Sequence, residues 1–248
     1  MANWQHNLEH AVLSDIGLRR GNNQDSSTVV LASSQSVWQQ RGHLFIVADG
    51  MGAHAAGELA SKIAVDTIPL VYQKLSDRSP PEAILAAVEE ANHQIHARGQ
   101  ASPEFRGMGT TCTSLLLLPQ GALLAHAGDS RGYLLRQETI QQLTFDHSLV
   151  WEMRAGGQLP QNEVPQYIPK NVITRSLGPN AAVQVDLEGP FPLAVGDTFL
   201  LCSDGLSGQV QDEEIGMVLR ALTLRLPPGR APSRPASCDP WHLPCGPR

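Results

Sequence analysis

The shortest connections in this chain constrain its fold the most. Six apolar runs read as strands: LFIVAD (44–49), TCTSLLLL (111–118), ALLAHA (122–127), GYLLR (132–136), AVQVDLE (182–188) and DTFLLCSD (197–204). Turn residues bound most of them. The second and third are joined by PQG, and the third and fourth by GDSRG. Neither connection can hold the crossover of about a dozen residues that parallel strands require, so both pairs are expected to be antiparallel neighbours.

Two helical segments separate the first run from the second. One spans roughly 54–76, with Leu59, Ala60, Ile63, Ala64 and Ile68 on one face, and Pro69 is expected to bend or end it. The other opens on Ser79, Pro80 and Glu82, the pattern of a capping box with proline at the first helical position. Ile84, Val88, Ala91 and Ile95 then repeat at helical spacing. Antiparallel strands with helices grouped between them predict an α+β layered domain, and 248 residues at 42% hydrophobic composition suffice for a sizeable core. Periodicity weakens over 146–180, where RAGGQLPQNEVPQYIPKN reads as a surface flap beside a site. From 221 to 248 the chain carries seven of its 18 prolines and has no periodic apolar face, so a disordered tail is expected there.

The net charge of −6 comes without any run of lysine or arginine, which argues against a nucleic-acid partner. No stretch approaches the roughly 18 apolar residues of a membrane span, and the N-terminus has no leader pattern, so a cytoplasmic location is expected. Cys112 and Cys202 lie in apolar runs and read as buried thiols; with Cys238 and Cys245 they match no zinc spacing.

Acids stand where strands end: Asp49 in IVADGMG, Asp129 in AHAGDSRGY and Asp204 in LLCSDGLSG, each beside a glycine, with Asp25 in the polar turn GNNQDSS. Each alone could be an ordinary β-turn. Three such turns at neighbouring strand ends point instead to carboxylates that would repel one another unless a cation lay between them. Oxygen ligands of this kind suit Mg²⁺ or Mn²⁺. His93 and His96 lack a third ligand for zinc. His126 sits on an apolar run and reads as a core residue, and His54 reads as a cap, a solvent-facing residue or a substrate contact. Arg19 and Arg20 are either a solvated pair or a phosphate fork.

Together these stretches resemble the metal-dependent PPM, or type 2C, serine/threonine protein phosphatases of bacterial type. The blocks are SDIGLRRGNNQDSS, VADGMGAHAAGELAS, GMGTTCTSLLL, AHAGDSRGYLLR, LTFDHSLV, ITRSLG and LLCSDGLSGQV, in the family's order over about residues 12–220. The resemblance implies a four-layer αββα sandwich of two antiparallel sheets flanked by helices. It places the phosphatase domain at 1–220, with a flap at 146–180. It implies hydrolysis of phosphoserine and phosphothreonine in proteins, by a hydroxide held at two Mg²⁺ or Mn²⁺ ions. Asp49 would bridge the ions, the Gly50 carbonyl and Asp204 would bind them directly, Asp129 would help hold a weaker third ion, and Asp25 would act through water. Arg20 would grip the phosphate and His54 would contact substrate. Phosphorylated proteins made by a serine/threonine kinase would be the partners.

Three departures from the pattern bear on activity. Gln24 stands where many relatives have Glu, and Met51 where animal relatives have His. The family's closing Asp-Asn pair and last apolar strand have no counterpart here; Asp239 is the one acid in the tail. The resemblance therefore implies one carboxylate fewer and a missing last strand, and leaves two expectations open. One is an impaired phosphatase; the other is an inactive relative that binds phosphoproteins or other protein partners.

Overall fold

The computed structural model describes residues 8–18, 20–52, 55–160, 164–165, 167–169 and 172–225. In chain order the elements are β1 (Asp25–Val30), α1 (Gln35–Arg41), β2 (His43–Met51), α2 (Ala56–Lys74), α3 (Pro80–Ala101), a 3₁₀ turn (Pro103–Phe105), β3 (Gly109–Thr110), β4 (Cys112–Leu118), β5 (Gly121–Ala127), β6 (Arg131–Arg136), β7 (Thr139–Gln142), α4 (Leu149–Ala155), β8 (Asp186–Phe191), β9 (Thr198–Cys202), α5 (Asp204–Ser207) and α6 (Asp212–Arg225). They form two antiparallel sheets. One runs β1-β2-β4-β5-β8, with β3 paired to the end of β2; the other runs β7-β6-β9.

Period-two alternation explains the layering. On β4, Leu116 and Leu118 face the α2–α3 layer, while Leu115 and Leu117 face the second sheet. On β9, Phe199 and Leu201 point between the sheets, and Leu200 and Cys202 point toward α6. A strand covered on both faces needs no polar side, which is why CTSLLLL is buried throughout. The order is helices, sheet, sheet, helices, the αββα sandwich that the resemblance implied. The helical face read from the sequence is the buried one: Ala60, Ala64, Ile68, Ile84, Val88, Ala91 and Ile95 are all fully buried. Truncating one of the larger of these to alanine is expected to cost about 2–5 kcal/mol. The Cys112 thiol, in the same core, is pushed up to about 12 by burial and is chemically quiet.

Several expectations change. The connection Gly128–Ser130 does not make a hairpin: β5 pairs with β4 and β8, β6 with β7 and β9, so the chain steps between sheets there. Gly128 makes that step at φ 124°, with its Cα so close to Thr111 that a Cβ would lie 2.5 Å from the Thr111 Cβ. Pro69 does not end its helix, which continues to Lys74 with Ile68 and Tyr72 buried on either side of the ring. The run at 182–188 is displaced: Val183 and Val185 do pack on the core, but the ladder begins only at Asp186. At Ser79, the Glu82 carboxylate accepts from both the N–H and the hydroxyl of the cap residue. Within residues 146–180, where a flap was expected, α4 and the chain after it form a separate small core of Val150, Leu159 and Ile168. Helix α6 extends to Arg225, into the stretch expected to be tail; residues 226–248, with Cys238, Asp239 and Cys245, lie outside the described residues.

Candidate metal centre

Strand pairing brings the acids together. Asp25 opens β1 directly opposite Asp49 near the end of β2, so it belongs to a strand and not to the early turn expected. Asp204 starts α5 just after β9, within hydrogen-bonding reach of the Asp49 carboxyl. Asp129 sits in the step between the sheets. Burial, then the charges of Asp25, Asp204 and Asp129, push the Asp49 carboxyl up to about 8. Burial, then Asp204 and Asp146, push Asp129 up to about 6. The other three predicted acids thus lie within electrostatic reach of Asp49, and Asp49 has no cationic partner among the described residues.

Backbone clamps fix Asp49 in place. Its N–H donates to the Thr111 hydroxyl at 2.8 Å, and its carbonyl accepts from the Thr111 N–H at 2.9 Å and the Thr110 hydroxyl at 3.0 Å. Ser203 donates its hydroxyl to the Asp25 carboxylate at 2.7 Å. The Gln24 carbonyl ties the next layer, accepting from the Gly50 N–H at 3.0 Å and from the Ser61 hydroxyl at 2.6 Å. Gly50 has a packing reason to be glycine that was not visible in the sequence: a Cβ there would lie 2.1 Å from the Gly57 carbonyl oxygen on α2 and 2.7 Å from that of Gln24.

The Asp129 loop is held from three directions. His147 accepts from the Gly128 N–H at Nδ1 (3.0 Å), and its own N–H donates to the Gly128 carbonyl (2.7 Å). With Nδ1 accepting, Nε2 carries the proton and donates to Asp186 at 2.9 Å. Ser130 bonds Thr111 through its hydroxyl at 2.7 Å. Arg131 forks onto Asp146, with Nε and Nη2 at 2.9 and 2.6 Å. Burial opposes the charge on Arg131, but the Asp146 hydrogen bonds outweigh it and hold the guanidinium firmly protonated. His147, Arg131, Asp146 and the Thr110–Thr111 pair carry no role in the sequence reading. They lie in the stretches GTT, GDSRG and FDHS, whose polar residues beside apolar runs were the only signal available for them.

The donor set suits a hard divalent cation. It is all oxygen, rich in charge and short of internal cations. Among the described residues no three His, Cys, Asp or Glu side chains converge into a ready cage. Ions here would complete their shells with carbonyl oxygen and water, as Mg²⁺ and Mn²⁺ do. Arg20 is exposed and pairs with no carboxylate among the described residues; Arg19 and His54 lie outside them. His93 is exposed, and His96 bonds the Gly178 carbonyl at 2.9 Å. His126 is the satisfied core histidine expected, bonded to Thr113 and to the Phe145 carbonyl.

A sheet-on-sheet sandwich between helical layers is the fold of the PPM phosphatases that this chain superposes on, and here acids gather where β1 begins, β2 ends and α5 follows β9. The chain belongs to the protein phosphatase 2C family, whose sequence pattern matches residues 19–233. It is 38% identical over 211 residues to protein phosphatase PhpP of Streptococcus pneumoniae, covering 84% of this chain and 82% of that protein. Its fold superposes with a TM-score of 0.72 on the serine/threonine phosphatase of S. agalactiae, at 35% identity and 84% coverage of each chain. It also superposes, at 0.66 and 34% identity over 87% of this chain and 84% of the other, on the catalytic domain of the serine/threonine protein phosphatase PstP, solved in complex with two manganese ions. Among the described residues no helix is long and apolar enough to cross a membrane.

Proposed function

We propose that this protein hydrolyses phosphoserine and phosphothreonine in proteins, using two Mg²⁺ or Mn²⁺ ions held at the acid-lined sheet edge. The observation that carries the proposal is the crowding around Asp49. Its carboxyl is pushed up to about 8 by burial and by Asp25, Asp204 and Asp129, a cost that a bound cation removes and that folding alone does not repay. Asp49 is assigned to bridge the two ions, with the Gly50 carbonyl and Asp204 as further direct ligands. Asp129 is assigned to a weaker third ion and Asp25 to contact through water. When bound, the ions stabilise charge on the phosphoryl group and activate water for attack.

The chain's own residues supply position. Thr110 and Thr111 hold the Asp49 backbone on both its N–H and carbonyl sides, so the carboxylate is presented without rearrangement. The exposed Arg20 guanidinium, which pairs with no carboxylate among the described residues, can offer its fork to two phosphoryl oxygens, and His54 is assigned to the substrate. The substrates are phosphoproteins of a serine/threonine kinase, met in the cytoplasm.

Phosphate release from a phosphothreonine peptide, with Mn²⁺ and after chelation, tests the reading. Mn²⁺-dependent release is expected. Peptide binding without release at any Mn²⁺ concentration would instead identify an inactive relative that retains the binding surface.

A further inference from the structure

A cavity of about 380 Å³ opens beside α4, lined by Phe145, Asp146, Trp151, Glu152, Arg175 and Asp186 among others. The Phe145 and Trp151 rings meet edge to face, with centroids 5.2 Å apart, and Phe145 is 52% exposed. An aromatic pair left open to solvent on a cavity wall is an unused binding surface.

The charges around this cavity do not cancel evenly. Asp146 is taken by the Arg131 fork and by the Gln142 amide at 2.9 Å. Asp186 accepts from His147 on one oxygen and from Arg175 on the other, each at 2.9 Å, which also neutralises Arg175. The exposed side chain of Glu152, in the first turn of α4, has no hydrogen-bond or ion-pair partner among the described residues. One carboxylate is therefore surplus, next to two aromatic rings. This combination recognises a cation on a long apolar stem, because the rings take the stem and the face of the charge while the acid takes its donors.

The cavity wall is tied to the Asp129 loop: Asp146 on the wall grips Arg131 and His147 on the wall is bonded to Gly128, and Gly128 and Arg131 stand on either side of Asp129 in the chain. The Asp146 charge also acts on the Asp129 carboxyl.

We propose that this cavity is a specificity pocket that takes a lysine or arginine side chain of the phosphoprotein substrate, a few residues from the phosphorylated one, through Glu152, Trp151 and Phe145. The proposal rests on the phosphatase reading above.

The test uses phosphothreonine peptides identical except for Arg, Ala or Glu placed in turn at each of the positions two to five residues from the phosphothreonine, with p-nitrophenyl phosphate as a substrate too small to reach the pocket. The wild type is expected to favour an Arg peptide over its Ala counterpart by about 5–10-fold in kcat/KM, carried by KM, the size of one aromatic-cation contact. Glu152→Gln should abolish that preference and Glu152→Lys should transfer it to the Glu peptide, both with p-nitrophenyl phosphate hydrolysis unchanged. Equal kcat/KM for all peptides in the wild type, or a preference that survives Glu152→Gln, would overturn the pocket. Should p-nitrophenyl phosphate itself not be turned over, the phosphatase reading fails separately. Calorimetric binding of the same peptides to the metal-free protein then decides the pocket: tighter Arg-peptide binding lost in Glu152→Gln supports it, and equal affinities overturn it.

Discussion

Two sets of aspartates in this protein differ in what answers their charge. Around β6 and β8, three aspartates have partners within the chain: Asp146 with Arg131, Asp186 with Arg175 and His147, and Asp197 with Arg136. Their ion pairs are complete, and the His147 and Arg175 bonds pull the Asp186 carboxyl below its usual range despite the burial that opposes them. Around the ends of β1, β2 and β9 the acids face one another instead, and Asp49 and Asp129 are pushed up. The first group holds the fold in place. Among the described residues the second has no ion pair to answer its charge, and a bound divalent cation is what the proposed function would supply there.

The comparison breaks first at Asp49. Asp49→Asn should reduce Mn²⁺-dependent turnover by roughly 10³-fold or more, the several kcal/mol that divalent ions lend to a phosphoryl transition state. Steady-state kinetics on a phosphothreonine peptide checks it, and turnover within about tenfold of wild type would mean that the acid cluster is not the reaction centre. In the paired group, Asp146→Ala takes both short bonds from the part-buried Arg131 guanidinium and leaves it only the longer 3.5 Å contact with Asp212 as an ion pair. It should cost about 3–5 kcal/mol in denaturant unfolding, as broken buried pairs do.

The core histidine gives a third, pH-dependent contrast. Burial first, then the charge of His147, lowers His126 to about 4, so folding holds it neutral. Between the unfolded value of 6.5 and that lowered value the unfolded chain binds the extra proton. The His126 contribution to stability is therefore intact above about pH 6.5 and falls by on the order of 3 kcal/mol as the pH drops toward 4. Urea unfolding at pH 7 and pH 4.5 should show a change in the wild type that is less favourable, by about that amount, than the change in His126→Gln. The smallest effect is expected at the surface. The Lys62–Asp66 pair on α2 is 3.0 Å long but 64% and 57% exposed, so Lys62→Ala should change stability by less than about 0.5 kcal/mol.

How much of this was legible in the sequence depends on whether a feature is local. The α2 and α3 faces and the run CTSLLLL follow from spacing alone, and the structure buries them as read. Asp49, Asp129 and Asp204 announce themselves because each ends an apolar run beside glycine. Asp25 is harder to place: DSSTVV is half polar, and its strand exists only by pairing with β2 across the α1 excursion. The step at Gly128 has a length that suits a hairpin, and only the long-range pairing of β5 with β8 and of β6 with β9 shows that the chain changes sheets there. The clamps by Thr111, His147 and Arg131 join positions 15 to 62 residues apart and leave no local trace. For Gly50, the sequence shows a glycine beside Asp49 but not that the opposing surface is the α2 backbone.

The account turns on an external divalent cation neutralising the cluster at Asp49, and Mn²⁺ titration calorimetry on the wild type beside Asp49→Asn measures that directly. Saturable heat in the wild type, lost or weakened at least about tenfold in the variant, is the predicted result. Negligible heat in both proteins, or the same isotherm in both, would contradict it.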